Sequence, residues 1–293
     1  MLKGSIVALV TPLNEDSSIN YSKLKELLEY HIANATDGVV LLGTTGEATT
    51  ISVEDQKKMI QFTVDVVQKR IPIIVGAGGN DTVASIEKVK EFSMAGVDYL
   101  LVITPYYNKT NEEGLWHHFK AIAEASNCPI LLYNVPSRTG MTISPALVER
   151  LSKHPKIAGI KDATGDISYT AKISHLASNE FVILSGNDDI ILPMMSLGAS
   201  GVISVLANIC PKQTHDLCVL CLKNQFPLAR SLQNKLLPIA NALFLETNPI
   251  PVKAAMNYLG YQVGGYRAPL YEMSASMKEK LFSVLEENKE ELF

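Results

Sequence analysis

Cysteine is scarce in this chain: Cys128, Cys210, Cys218 and Cys221 are all it holds among 293 residues. They read as reduced thiols of a cytosolic chain rather than as a disulfide framework. His215, Cys218 and Cys221 would fan over about 120° of a helix surface, a poor arrangement for zinc. Long apolar runs are missing too, and nothing approaches the ~18 uninterrupted apolar residues of a membrane span. The opening MLKGSIVALVTPLNED has too short an apolar run for a signal peptide. The expected location is therefore the cytoplasm. Runs of basic residues are also absent, and the net charge is −4. That argues against a nucleic-acid or polybasic membrane surface.

Two further absences narrow the chemistry. No phosphate-binding glycine loop follows the first predicted strand, as a doubly wound nucleotide-binding sheet would require. The nearest approach, GAGGND from Gly76, follows the third strand and lacks the last glycine of GxGxxG. No histidine falls at a strand end; all six lie in helices or connections. This disfavours a metal-dependent aldolase and a Ser-His-Asp hydrolase alike.

What is present is alternation of short β-branched runs with longer helical segments. Strands are predicted at 5–10, 38–42, 72–75, 98–103, 130–133, 157–160, 181–184 and 201–205. Helix-start signals fall between them, including Ser52 with Asp55 three residues on and the pair Ser144–Pro145. Strands apolar on both faces are those of a parallel sheet covered on both sides. Eight strand–helix units over 1–224 predict a (β/α)8 TIM barrel. After about Gln225 only helical segments follow, so 225–293 reads as a C-terminal helical domain packed on the barrel's side or used in assembly.

The chain is organised around IAGIKDATGD, Ile157 to Asp166. Strand alternation places Ile157, Gly159 and Lys161 on one face, with Gly159 leaving an empty slot beneath the lysine. A cation ending an apolar strand either marks the edge of water or serves as a nucleophile. At the ordinary lysine pKa only about one side chain in 2,500 is a free amine at pH 7; burial beneath a barrel rim favours the neutral form. Around that amine the strand ends gather Thr11, Thr44, Thr45, Tyr106, Tyr107, Tyr133, Asn134, Ser185, Asn187 and Asn208, with Arg138 close behind. A lone amine among hydroxyls suits imine formation with a carbonyl substrate. Tyr133 could shuttle protons, the GTTGE turn could hold a carboxylate, and the Arg138 fork could clamp a second one.

These same segments carry a resemblance. GTTGE with Thr44 and Thr45, the pair Tyr106–Tyr107, YNVPSRTG from Tyr133 to Gly140, and GIKDATGD around Lys161 resemble the dihydrodipicolinate synthases among the pyruvate-dependent class I aldolases. The likeness spans essentially the whole chain. It implies that Lys161 forms an imine with pyruvate whose carboxylate is held at Thr45, and that the derived enamine attacks L-aspartate 4-semialdehyde bound at Arg138. Tyr133, Thr44 and Tyr107 match a proton relay in which Tyr107 comes from a neighbouring subunit, and the backbone at Gly186 and Ile203 lines the lysine pocket. It also implies a homotetramer built from tight dimers, the covalent imine in place of any cofactor or metal, and a place in diaminopimelate and lysine biosynthesis. Members inhibited by lysine bind it with a glutamate and a histidine where this chain has Ala84 and Gln56, beside Asn80 and Tyr106; weak or absent inhibition is expected. The competing readings are an aldolase of a keto-deoxysugar or N-acetylneuraminate, and a catalytically silent barrel used for binding or assembly.

Overall fold

In the computed structural model, residues 2–291 are described. Eight parallel strands close into a barrel in chain order: β1 (Gly4–Ala8), β2 (Gly38–Leu41), β3 (Ile73–Gly76), β4 (Tyr99–Ile103), β5 (Ile130–Asn134), β6 (Ile157–Asp162), β7 (Val182–Ser185) and β8 (Gly201–Ser204). β8 returns to β1, with Ile203 opposite Ile6. The eight strands expected from the sequence are all present, their ends displaced by no more than two residues.

Both strand faces are apolar because both are covered. Ile6, Val40, Ile74, Leu101, Leu131 and Leu184 fill the barrel interior. Their alternates, such as Val39, Val75, Leu100, Val102, Leu132 and Ile183, meet the helices outside. Side-chain oxygens start those helices by accepting the otherwise unpaired first-turn amides. Asn20 caps Tyr21–Ala33, Ser52 caps Val53–Val67, Asp81 caps Thr82–Phe92, and Ser144 caps Pro145–Ser152 behind its N1 proline. The amide of Asn208 closes the barrel's last seam, donating to the Ala8 and Val205 carbonyls and accepting from the Val10 amide.

β6 departs from the expected alternation. Its pairing with β5 shifts by one residue between Ile130 and Leu131, whose partners are Ile157 and Gly159. Ala158 is the extra residue, as in a bulge. Ile157 therefore lies with Ile160 in the outer core, while Ala158 packs against the inner one. The expected empty slot at Gly159 is also absent. A Cβ there would come within 2.6 Å of Val182 Cγ2, and closer still to the Val182 carbonyl oxygen. Glycine is required because β7 approaches β6 closely at this level.

The three C-terminal helices are Phe226–Ala242, Ile250–Tyr258 and Ala275–Glu287. The first packs on the barrel's side against Ile191–Ser196 and Pro211–Leu222. One hydrophobic core runs through both segments, including Leu217 and Cys218 before residue 225 and Leu236, Val252 and Leu281 after it. The second helix and the segments on either side of it do more than cover a flank: Asn248, Lys253 and Arg267 reach the loops at the barrel mouth. No helix among the described residues is long and apolar enough to cross a membrane.

Candidate active site

Two lysines are buried among the described residues, Lys161 and Lys253, and their environments are opposite. Lys253 is paired with Glu47 at 2.7 Å. Lys161, 8% exposed, has no ion pair and no hydrogen bond among the described residues. Its Nζ lies 4.4 Å from the ring centre of Tyr133. β5 and β6 dictate this contact, because Tyr133 and Lys161 are register partners at the carboxyl ends of neighbouring strands. An amine with no hydrogen bond of its own to break is free to attack a carbonyl carbon once its proton is lost.

The loops around it are fixed by buried carboxylates. Asp162 accepts from the Thr164 amide and hydroxyl and from the Thr170 hydroxyl. Asp188 accepts at one oxygen from the Val205 and Leu206 amides, 2.9 Å each. Burial pushes both carboxyls up; the hydrogen bonds oppose it, and at Asp188 so does the charge of Lys161. Gly186 donates its amide to the Asp162 carbonyl at 2.7 Å, and a Cβ on it would meet Ala163 Cβ at 2.5 Å. Ile203 is buried on the inner face of β8.

On the other side stands the turn after β2. Thr44 and Tyr133 line a cavity of about 610 Å³, together with Tyr106 and Arg138. The Thr44 hydroxyl makes no hydrogen bond among the described residues. Thr45 is buried and its Oγ1 accepts from Asn248 Nδ2 at 3.0 Å. The carbonyl of the same Asn248 accepts from Arg138 Nη2 at 2.8 Å. One C-terminal residue thus ties together the two positions expected to hold carboxylates, about which the sequence offered no sign. Asp188, Glu47 and Lys253 were missed as well, although a lysine within the apolar IPVKAAM was a visible anomaly.

Other expected members are placed differently. Tyr107 is 94% exposed, with a positive φ of 70°, and does not line the cavity. Thr11 and Ser185, counted from the sequence among the polar groups of the mouth, donate their hydroxyls to the Gly46 and Asn187 carbonyls. With Asn208 at the seam they are structural. Among the described residues no group of three or more His, Cys, Asp or Glu side chains is placed to hold a metal ion, and His215 pairs with Asp37.

The chemistry available is therefore that of one amine, a phenol against it, a free threonine hydroxyl and an arginine at the rim. Similarity to known proteins extends over nearly the whole chain. The model of the dihydrodipicolinate synthetase family matches residues 1–288. The 4-hydroxy-tetrahydrodipicolinate synthase of Clostridium perfringens (strain 13 / Type A) is 50% identical over 288 residues, 98% of this chain and 97% of that protein. Its counterpart from Thermoanaerobacter pseudethanolicus is 49% identical over 286 residues, covering 97% and 96% of the two chains. Among solved structures, the chloride-inhibited dihydrodipicolinate synthase of Acinetobacter baumannii complexed with pyruvate superposes with a TM-score of 0.96. It is 42% identical and covers 99% of each chain.

Proposed function

The chain belongs to the dihydrodipicolinate synthetase family, and we propose that it condenses pyruvate with L-aspartate 4-semialdehyde to give 4-hydroxy-tetrahydrodipicolinate. The observation that carries this reading is Lys161: a buried lysine with no ion pair or hydrogen bond among the described residues, at the end of a barrel strand and against a tyrosine. The Lys161 amine adds to the C2 carbonyl of pyruvate, and the carbinolamine loses water to leave an imine. Loss of a methyl proton gives the enamine, whose carbon attacks the aldehyde. The amino group of the semialdehyde then adds to the imine carbon and expels Lys161, closing the ring and restoring the free amine.

Tyr133 carries protons to and from the carbinolamine oxygen, relayed by Thr44. Thr45 holds the pyruvate carboxylate, and Arg138 takes the carboxylate of the semialdehyde with its planar fork. The backbone at Gly186 and Ile203 shapes the floor of the pocket. Tyr107 completes the relay of a neighbouring subunit; its near-complete exposure fits a side chain that finds its partners in another copy. The assembly is a homotetramer built from dimers, working in the cytoplasm on small molecules, with the imine of Lys161 in place of a cofactor.

A coupled assay with both substrates tests this reading, with turnover expected. Arg138→Ala should lower kcat/KM for the semialdehyde about 10- to 100-fold, the equivalent of hydrogen bonds to a charged group. Pyruvate imine formation should persist. Turnover of a keto-deoxysugar instead, indifferent to Arg138→Ala, would overturn it in favour of a sugar aldolase.

A further inference from the structure

Glu47 ends the GTTGE turn in a left-handed conformation (φ 55°), which a non-glycine residue adopts only when its surroundings hold it there. They do so through both of its carboxylate oxygens. Oε1 accepts from Lys253 Nζ at 2.7 Å, and Oε2 accepts from the Arg267 amide at 2.9 Å. Lys253 Nζ also donates to the Thr11 carbonyl at 3.2 Å, and the Thr11 hydroxyl donates to the Gly46 carbonyl at 2.7 Å. Arg267 reaches past the pair to the Thr50 carbonyl at 2.8 Å. The pair is fully desolvated, with side-chain exposures of 0% for Lys253 and 1% for Glu47.

A buried ion pair is a poor choice where stability alone is at stake, because apolar residues of similar volume often serve as well or better. What this pair adds is geometry. It joins the loop after β1, the turn after β2 and the helix Ile250–Tyr258 at a single point. That point lies two residues from Thr45, whose hydroxyl is oriented by Asn248 from the same C-terminal segment. A shift of the turn would carry Thr44 and Thr45 with it.

We propose that the Glu47–Lys253 pair is a positioning device that holds the Thr44–Thr45 turn ready for a ketoacid carboxylate and makes the C-terminal helix part of the pyruvate site. This rests on the reading of Lys161 as the amine that takes pyruvate. Neither residue touches substrate; both act through Thr44 and Thr45.

The test compares the whole native protein with the double variant Glu47→Gln/Lys253→Met. That variant has no buried charge at this point and keeps an acceptor for the Arg267 amide. Borohydride labelling of Lys161 is measured against pyruvate concentration, beside the thermal midpoint. The double variant should melt close to the native protein and reach the same maximal labelling. It should need at least about tenfold more pyruvate for half of it, the scale on which small misplacements act. Glu47→Gln alone retains hydrogen-bonding atoms on every side and should shift labelling in the same direction. A folded variant of either kind that labels at the native pyruvate concentration overturns the proposal. Absence of labelling in the native protein would instead overturn the pyruvate reading, and the proposal with it.

Discussion

The Nζ of Lys161 faces the ring of Tyr133 across the β5–β6 ladder, 4.4 Å from its centre, and no carboxylate pairs with it. The barrel brings the amine and the phenol together before any substrate arrives. In Tyr133→Phe the ring would still cover the amine while the relay hydroxyl is lost. That hydroxyl makes no hydrogen bond among the described residues, so stability should barely change. Steady-state assay should show kcat lower by about 10²–10⁴-fold. An unchanged kcat would remove Tyr133 from the relay.

Gly159 lies two residues before the lysine on the bulged strand. In Gly159→Ala the new methyl would meet the Val182 backbone, which cannot swing aside as a flexible side chain can. Urea unfolding should show a loss of about 1–3 kcal/mol. Lys161 should also be labelled more slowly, since the strand that presents it must move. Native stability in this variant would mean that β6 and β7 yield more freely than their packing indicates.

L-Lysine should inhibit weakly or not at all. Gln56 and Ala84 line the cavity together with Asn80 and Tyr106. The Gln56 amide is already committed, donating to the Ala48 and Ile51 carbonyls at 3.0 and 2.9 Å. Besides Arg138, the charged residues lining the cavity are Asp81 and Lys88. The first caps its helix at Val83 and Ala84, and the second repels an ammonium. The missing carboxylate forfeits about 1.5–3 kcal/mol of charge-assisted bonding. Half-inhibition at micromolar lysine would contradict this.

Acid should destabilise the fold before it titrates ordinary carboxylates. Burial lowers His118 from its ordinary 6.5 to about 4 and His31 to about 3. Below pH 6.5 the unfolded chain takes up protons at both positions that the folded chain refuses. Their contribution is therefore complete above 6.5. It is lost as pH falls toward 4 and then 3, by up to about 1.4 kcal/mol per pH unit for each histidine. Asp162 and Asp188, raised by burial, act in the opposite sense as pH falls through their raised values to 3.8, and offset part of the loss at the acid end. Thermal midpoints at pH 7 and pH 5 decide the matter: a clear fall is expected, and equal values would contradict it.

The barrel was legible because strands covered on both faces leave short apolar runs that can be counted. Lys161 was legible as a cation where such a run ends. The bulge at Ala158 was not, because one extra residue in a buried strand leaves both its neighbours apolar and turns only their direction. Nor did local pattern reveal that Asn248 would bridge Thr45 and Arg138, since that contact joins positions 203 residues apart. Glu47 read as part of a turn. Its left-handed backbone becomes intelligible only with Lys253 and Arg267 in place.

The most direct measurement is mass spectrometry of peptides after incubation with pyruvate and borohydride. The peptide containing Lys161 should be heavier by one reduced pyruvate adduct, with Lys253 unmodified in the same digest. A label on Lys253 or any other lysine, or no label at all, would contradict the assignment of Lys161 as the reactive amine.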